Sequence, residues 1–271
     1  MRMTSLAYLP GRGVLAVTGP DRISFLNGLV SNEISAAAPG GAVWAALLSA
    51  QGRYLTDFFV FSADDSLLLD MPREAVAGTL TKLKRFRLRA LVELADLSES
   101  YFVHASWGGM PPEIPVTAAD PRLPAAGFRS LSPMALETNA TDQDYMAHRL
   151  ALGLPDGPPD LEIDKTLLLE AGFDELGGVA WDKGCYMGQE LTARTKYRGL
   201  IKRRLVPVTL SDTAPPPGTP ILADGAEVGT LRSASGFLGL ATLRLDALKK
   251  PLICGNALVE PNIPAWLRIP A

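Results

Sequence analysis

The chain has 271 residues, 26 Lys+Arg against 29 Asp+Glu for a formal net charge of −3, and 47% hydrophobic residues. This composition excludes a disordered chain, and the length suits one large domain or two to three small ones. The charge balance gives no overall field for nucleic acid or an anionic membrane, so neither is an expected partner. Two cysteines, Cys185 and Cys254, make neither a disulfide framework nor a complete cysteine-based zinc site. The apolar stretch Ala42–Ala50 is far short of the roughly 20 residues of a membrane span, and the first ten residues lack the apolar core of a secretion signal. The expectation is a soluble cytoplasmic protein.

In chain order, Leu6–Val17 reads as strand, turn and strand around Pro10–Gly13. Gly19-Pro20-Asp21 opens a helix with Ile23, Leu26, Leu29 and Val30 at helical spacing. Val43–Leu48, the turn Gln51–Arg53 and Tyr54–Phe61 predict a hairpin, and Leu67–Asp70 a further strand. Pro72–Phe86 predicts a helix whose end is basic: Lys82, Lys84, Arg85, Arg87 and Arg89. That run is either an anion-binding patch or a helix C-terminus whose cations suit the dipole. Leu91–Leu94, Tyr101–Ser106 and Phe128–Leu136 read as strands, and the Pro/Gly-rich segment 108–127 as a loop or a connector between subdomains. Asp142–Leu152 is a helix stopped by Gly153 and Pro155. From Leu205 onward, short β-type runs alternate with Pro/Gly turns, predicting a small antiparallel barrel or sandwich and a boundary near residue 203.

Chemistry concentrates in 167–199. Lys183, Cys185, Tyr186, Gln189, Glu190 and Arg194 are gathered around Gly184, Gly188 and Gly199. Glycines allow close backbone approach to a ligand. A loop at 181–188 running into a helix from Gln189 would aim N–H groups at an anion or a ring carbonyl. Lys183 and that helix start would favour a Cys185 thiolate, hence nucleophilic, redox or metal-ligand behaviour. Cys254 sits in an apolar run and reads as packing. Asp57, in an otherwise apolar strand, is either a solvated strand-end residue or an active-site acid. The cations Arg194, Lys196, Arg198 and Lys202–Arg204 either clamp carboxylates or phosphates or form a solvated linker. His104 and His148 carry no motif, and no P-loop or dinucleotide fingerprint is present.

Lys183-Gly-Cys-Tyr-Met-Gly-Gln-Glu190, followed by Thr192-Ala-Arg194 and Arg198-Gly199, closely resembles the signature of the YgfZ-type folate-binding proteins. These are relatives of the glycine cleavage T-protein (aminomethyltransferase) that assist iron–sulfur cluster maturation. Val17–Leu26 with Ser31–Ile34, Leu47–Arg53 with Asp57, and Gly225–Ala234 with Gly239–Arg244 extend the resemblance over most of the chain. It implies an α+β fold: a T-protein-like, folate-binding region over 1–203, of mixed subdomains around a central hole with a break near 108–127. A six-stranded β-barrel over 204–271 would follow.

The implied ligand is tetrahydrofolate or a one-carbon derivative, held by Glu170, Asp57, Gln189 and Arg194. Glu170 matches the T-protein glutamate that accepts two parallel N–H donors from the pterin. Cys185, Lys183 and Tyr186 match the maturation family's own motif and are the candidate catalytic residues; no resident metal is implied. Iron–sulfur assembly proteins or client iron–sulfur enzymes are the implied partners. Two alternatives stay open: a genuine folate-dependent aminomethyltransferase or demethylase, and a non-catalytic folate-binding scaffold.

Overall fold

A computed structural model describes residues 3–270. Strand β1 (Ser5–Tyr8) and strand β2 (Arg12–Thr18) flank the Pro10–Gly11 turn but enter different sheets. Helix α1 (Arg22–Asn27) follows Gly19-Pro20, as its spacing predicts. Strands β3 (Ala42–Leu48) and β4 (Tyr54–Ala63) form the expected hairpin, with Ala46 opposite Asp57. Strand β5 (Ser66–Pro72), helix α2 (Val76–Phe86) and strand β6 (Glu93–Asp96) complete the first unit, an antiparallel sheet in the order β3-β4-β5-β2-β6.

This sheet is buried on both faces, which explains why its strands read as apolar runs rather than alternations. Val43, Ala45, Phe58, Val60 and Leu69 pack with Leu26 of α1 and Leu83 of α2. Their neighbours in sequence, Trp44, Ala46, Phe59, Phe61 and Leu68, join a second core that reaches the rest of the molecule. Alternate side chains of a strand point to opposite faces, so one apolar run feeds both cores. Each fully buried Phe there contributes roughly 1.5–3 kcal/mol.

The second unit is a four-stranded sheet, β1-β7-β9-β8, built with β7 (Phe102–Trp107), β8 (Val116–Ala119) and β9 (Phe128–Ser132). Here the structure departs from the expected connector over 108–127. Val116–Ala119 is free of Pro and Gly, pairs with β9 and forms the sheet edge, so the break falls inside a unit rather than between two. Helix α3 (Asp142–Leu152) has the predicted bounds. Thr141 and Asp144 cap its start reciprocally, and Gly153 ends it at φ +75°, a left-handed value that favours glycine. His104 lies buried in β7, where burial lowers its pKa.

Helix α4 (Gln189–Tyr197) leads into the barrel. Its strands are β10 (Arg203–Leu210), β11 (Pro220–Ala223), β12 (Ala226–Ser235), β13 (Leu238–Arg244), β14 (Leu252–Cys254) and β15 (Ala257–Pro261). Pairing of β15 back onto β10 closes the ring β10-β13-β12-β11-β14-β15, which settles the barrel against the sandwich. Cys254 is fully buried inside it, as packing.

The three units meet on a lattice of buried charges. Arg12 on β2 donates to Asp70 on β5 at 2.6 Å and to Asp156 at 2.6 Å. Arg129 on β9 donates to the other Asp70 oxygen at 3.0 Å and to the Tyr145 hydroxyl at 2.6 Å. Arg149 on α3 donates to Asp160 at 2.6 Å, and Ser233 of the barrel donates to the same carboxylate. The Arg12, Arg122 and Arg129 guanidiniums lie 4.3–5.8 Å from the centroid of the Phe59 ring. Burial pushes the Asp156 carboxyl up, but Arg12, Arg129, Arg149 and Arg122 together hold it well below the usual carboxylate range.

Candidate functional site

The loop 181–188 is fixed at many points, and its one free reactive group is Cys185. Gly188 (φ +81°) lies so close to the β3–β4 turn that a Cβ there would stand 2.6 Å from the Ser49 carbonyl oxygen. Gly52 (φ +79°) in that turn has the reciprocal problem, 2.6 Å from the Gly188 carbonyl oxygen. The two glycines therefore interlock the hairpin tip with the start of α4. Upstream, the Ser31 hydroxyl donates to the Gly178 carbonyl at 2.7 Å, and the Asn32 amide donates to the Gly177 carbonyl at 2.7 Å. Trp181 donates to Asp174 at 2.6 Å and lies under the Lys196 ammonium, 3.7 Å from its ring centroid.

Lys183 is the central fastening. Its ammonium donates to the Asn27, Val30 and Asn32 carbonyls at 2.8, 2.9 and 2.6 Å, and to the Asn27 side chain at 3.1 Å. It also sits 5.3 Å from the Tyr186 ring centroid. Burial lowers its pKa to about 8, and Glu33 opposes that shift. The sequence reading gave Lys183 the task of favouring a Cys185 thiolate. Instead its hydrogen bonds go to the segment after α1, which makes it a positioning residue. Lys183→Met should cost about 1.5–3 kcal/mol, the range for hydrogen bonds to a charged group. Hydrogen exchange should then rise in 27–32 and 181–188 together.

Tyr186, the neighbouring motif residue, is buried in the main core, where burial raises its pKa and Thr192 opposes the rise. Gln189 opens α4, and its side-chain oxygen accepts from the Tyr186 backbone N–H at 3.3 Å. Cys185, between anchored Tyr186 and open Gly184, is exposed. Among the described residues, no three His, Cys, Asp or Glu side chains are gathered as a metal-holding group. Iron held at Cys185 would therefore draw its other ligands from another molecule.

The four residues expected to hold folate lie in different local settings. Asp57 is fully buried, with one carboxylate oxygen accepting from the Trp44 indole at 2.9 Å and the other from the Tyr54 hydroxyl at 2.7 Å. Burial raises its pKa. Glu170 is half-buried in a short 3-10 turn and lines a cavity of about 150 Å³ with Asp160, Lys165, Arg203 and Arg232. Burial raises its carboxyl too, opposed by the backbone of Lys202 and Arg203. Arg194 is half-exposed, 3.7 Å from Glu190 one turn earlier. A drug-sized ligand occupies roughly 300–1,000 Å³. A roomier cavity of about 580 Å³ is lined by Arg12, Tyr145, Met146, Arg149, Asp156 and Pro159 among others, and by none of the four. Neither cavity is lined by more than one of the four residues, so their placement forms no single pocket for tetrahydrofolate in the cavities described. The same sealing of Asp57 leaves the transferase alternative without an accessible acid at that position.

The basic run 194–204 is likewise not one clamp. Lys196 pairs with Asp174 at 3.3 Å, and buried Arg204 is held by Glu175 and the Leu169 carbonyl. Sequence reasoning missed the structural use of these cations, because their partners lie in 169–175.

Comparison with known proteins bears on this geometry. Residues 202–269 match the family model described as CAF17, C-terminal beta-barrel domain. The human mitochondrial iron–sulfur cluster assembly factor IBA57 is 34% identical over 284 residues, covering 90% of this chain and 78% of the relative. The mouse protein is 31% identical with the same coverages. The chain belongs to the IBA57 family of iron–sulfur cluster assembly factors.

A further IBA57 homolog, from Mycosarcoma maydis, is 36% identical over 237 residues, and this chain spans 59% of its length. Among solved structures, the glycine cleavage system aminomethyltransferase T of Bartonella henselae superposes with a TM-score of 0.78 at 14% identity. The match covers 98% of this chain and 87% of that one and shows the shared fold. These IBA57 relatives are named mitochondrial, which overturns the cytoplasmic expectation. Two unpaired cysteines mark any reducing compartment, so composition does not separate the two. Among the described residues no helix is long and apolar enough to cross a membrane.

Proposed function

We propose that this chain is an accessory factor of iron–sulfur cluster assembly whose Cys185 supplies one thiolate to iron or a cluster carried by a partner protein. The observation that carries this reading is an exposed thiol on a loop fastened at Lys183, Tyr186 and Gly188. Thiolate is the preferred donor for iron–sulfur clusters, and a cluster takes about four such ligands, so a single one implies sharing. Transient sharing also suits a factor that hands a cluster on, because the described residues offer no complete set of ligands that would retain it.

The test is rescue. A strain lacking its IBA57 relative should regain iron–sulfur enzyme activity when given this chain, and no gain with a well-expressed chain would overturn the assignment. Tetrahydrofolate is not part of this reading. Thermal-shift titration with it is expected to leave the midpoint unchanged, since a ligand that binds only the folded state must raise it. A saturable rise would return folate to the function.

A further inference from the structure

The turn that follows α2 is an exposed, cationic and apolar knuckle. Residues Lys84 to Arg89 are exposed without interruption. Leu88 is 89% exposed and Leu91 66%, and Phe86 and Ile23 of α1 are also exposed. Leu88 also holds φ +42°, a left-handed conformation that is strained for a bulky residue and marks functional segments more often than ordinary surface. Lys84, Arg85, Arg87 and Arg89 lie within this stretch, which runs from the last turn of α2 into the turn after it, and Lys82 stands half-buried one helical step before, in a chain whose net charge is −3. None of the five is in ion-pair distance of a carboxylate among the described residues, whereas exposed Arg73, Arg244 and Lys250 are each paired. Five unneutralised cations around protruding apolar side chains are unfavourable to maintain in water and complementary to an acidic surface with an apolar recess.

The knuckle is tied to the thiol loop by α1. The Leu91 N–H donates to the Asp21 carboxylate at 2.8 Å at one end of that helix. Lys183 donates to the Asn27 carbonyl at the other. A helix of six residues is about 9 Å long, and Ile23, Ser24 and Gly28 form an exposed strip along it. Ala90 of the knuckle and Met187 of the thiol loop pack on the same core.

We infer that this knuckle, continuous along α1 with the Cys185 loop, is the docking surface for an acidic iron–sulfur protein, with Leu88 as the apolar anchor and the Arg/Lys ring as the steering charge. The occupant's being a protein rests on the reading of Cys185 given above, in which a partner protein carries the iron. Buried apolar anchors supply affinity at such interfaces, while rim charges set encounter rate and choice of partner.

The test places a photo-crosslinking residue at Leu88, and separately at exposed Asp182, in the full chain expressed in the rescued strain. Both positions should trap the same protein, acidic in sequence and binding an iron–sulfur cluster when purified. The triple variant Arg85→Glu, Arg87→Glu, Arg89→Glu should cut the Leu88 crosslink about tenfold, while the chain stays folded at the assay temperature and its melting temperature falls only by what the reversed charges at the helix C-terminus cost. Adding Cys185→Ala to the Leu88 probe should leave the crosslink intact. Crosslinks to lipid, to a basic protein, or to different proteins from the two positions would overturn the inference, as would a triple variant that crosslinks normally. If instead Cys185→Ala still rescues while both crosslinks persist, the docking surface stands and the role given to the thiol falls.

Discussion

Cys185→Ala is expected to abolish rescue of iron–sulfur enzyme activity while leaving folding stability within about 0.5 kcal/mol of the native chain, the usual range for an exposed substitution. The side chain is exposed and forms no hydrogen bond that holds the loop, which rests on Lys183, Tyr186 and Gly188. Cys185→Ser should be equally inactive. The hydroxyl matches the thiol in size, so retained activity in the serine chain would point to a steric role, whereas iron–sulfur ligation demands the softer sulfur donor. Steady-state enzyme activity in the complemented strain, with urea unfolding of the purified variants, reads both quantities. Wild-type rescue by Cys185→Ala would remove the thiol from the mechanism.

Asp70→Ala carries the largest expected loss of stability, about 3–5 kcal/mol, because removing one partner of a buried ion pair leaves the others uncompensated. Asp70 is fully buried, and its two oxygens serve Arg12 and Arg129 separately. The exposed pair Arg244–Asp246 is the control, and Asp246→Ala should cost under about 1 kcal/mol. The neighbouring Asp156 adds a pH signature. Its folded pKa is held below the ordinary 3.8, so its contribution is present above that value and is lost as pH falls beneath it. Asp156→Asn should flatten this part of the acid unfolding curve. Urea midpoints across pH measure both effects, and equal costs for Asp70→Ala and Asp246→Ala would contradict the lattice.

Local pattern carried much of the fold. Thr141, Asp144 and Gly153 bound α3 where the sequence places it, and five of the six barrel strands are legible as short β-type runs between turns. The exception, β14, spans only three residues between Pro251 and Gly255, too few to show a period. Strand β8 is hidden for a similar reason, among prolines. The charge lattice is invisible in one dimension. Arg12 and Asp156 are 144 positions apart, and each in its own segment resembles a solvated charge. The motif Lys183–Glu190 draws attention to one loop, yet the task of Lys183 is not legible there, since three of its four acceptors are backbone carbonyls that any residues would supply. Asp57 shows the converse: a carboxylate in an apolar strand reads as a solvated strand end or an active-site acid, and the indole and phenol donors that make it a buried hydrogen-bond acceptor are visible only in three dimensions.

Trp181 gives the molecule an optical consequence. Its indole lies four positions before Cys185, partly exposed, against the Lys196 ammonium and 6.2 Å from the Tyr197 ring at a steep angle. Trp44, by contrast, is sealed against Phe173 at 3.9 Å. Emission from Trp181 is therefore sensitive to whatever seats on the thiol loop, over a background from Trp44, Trp107 and Trp266, and the chain carries its own fluorescent gauge of occupancy.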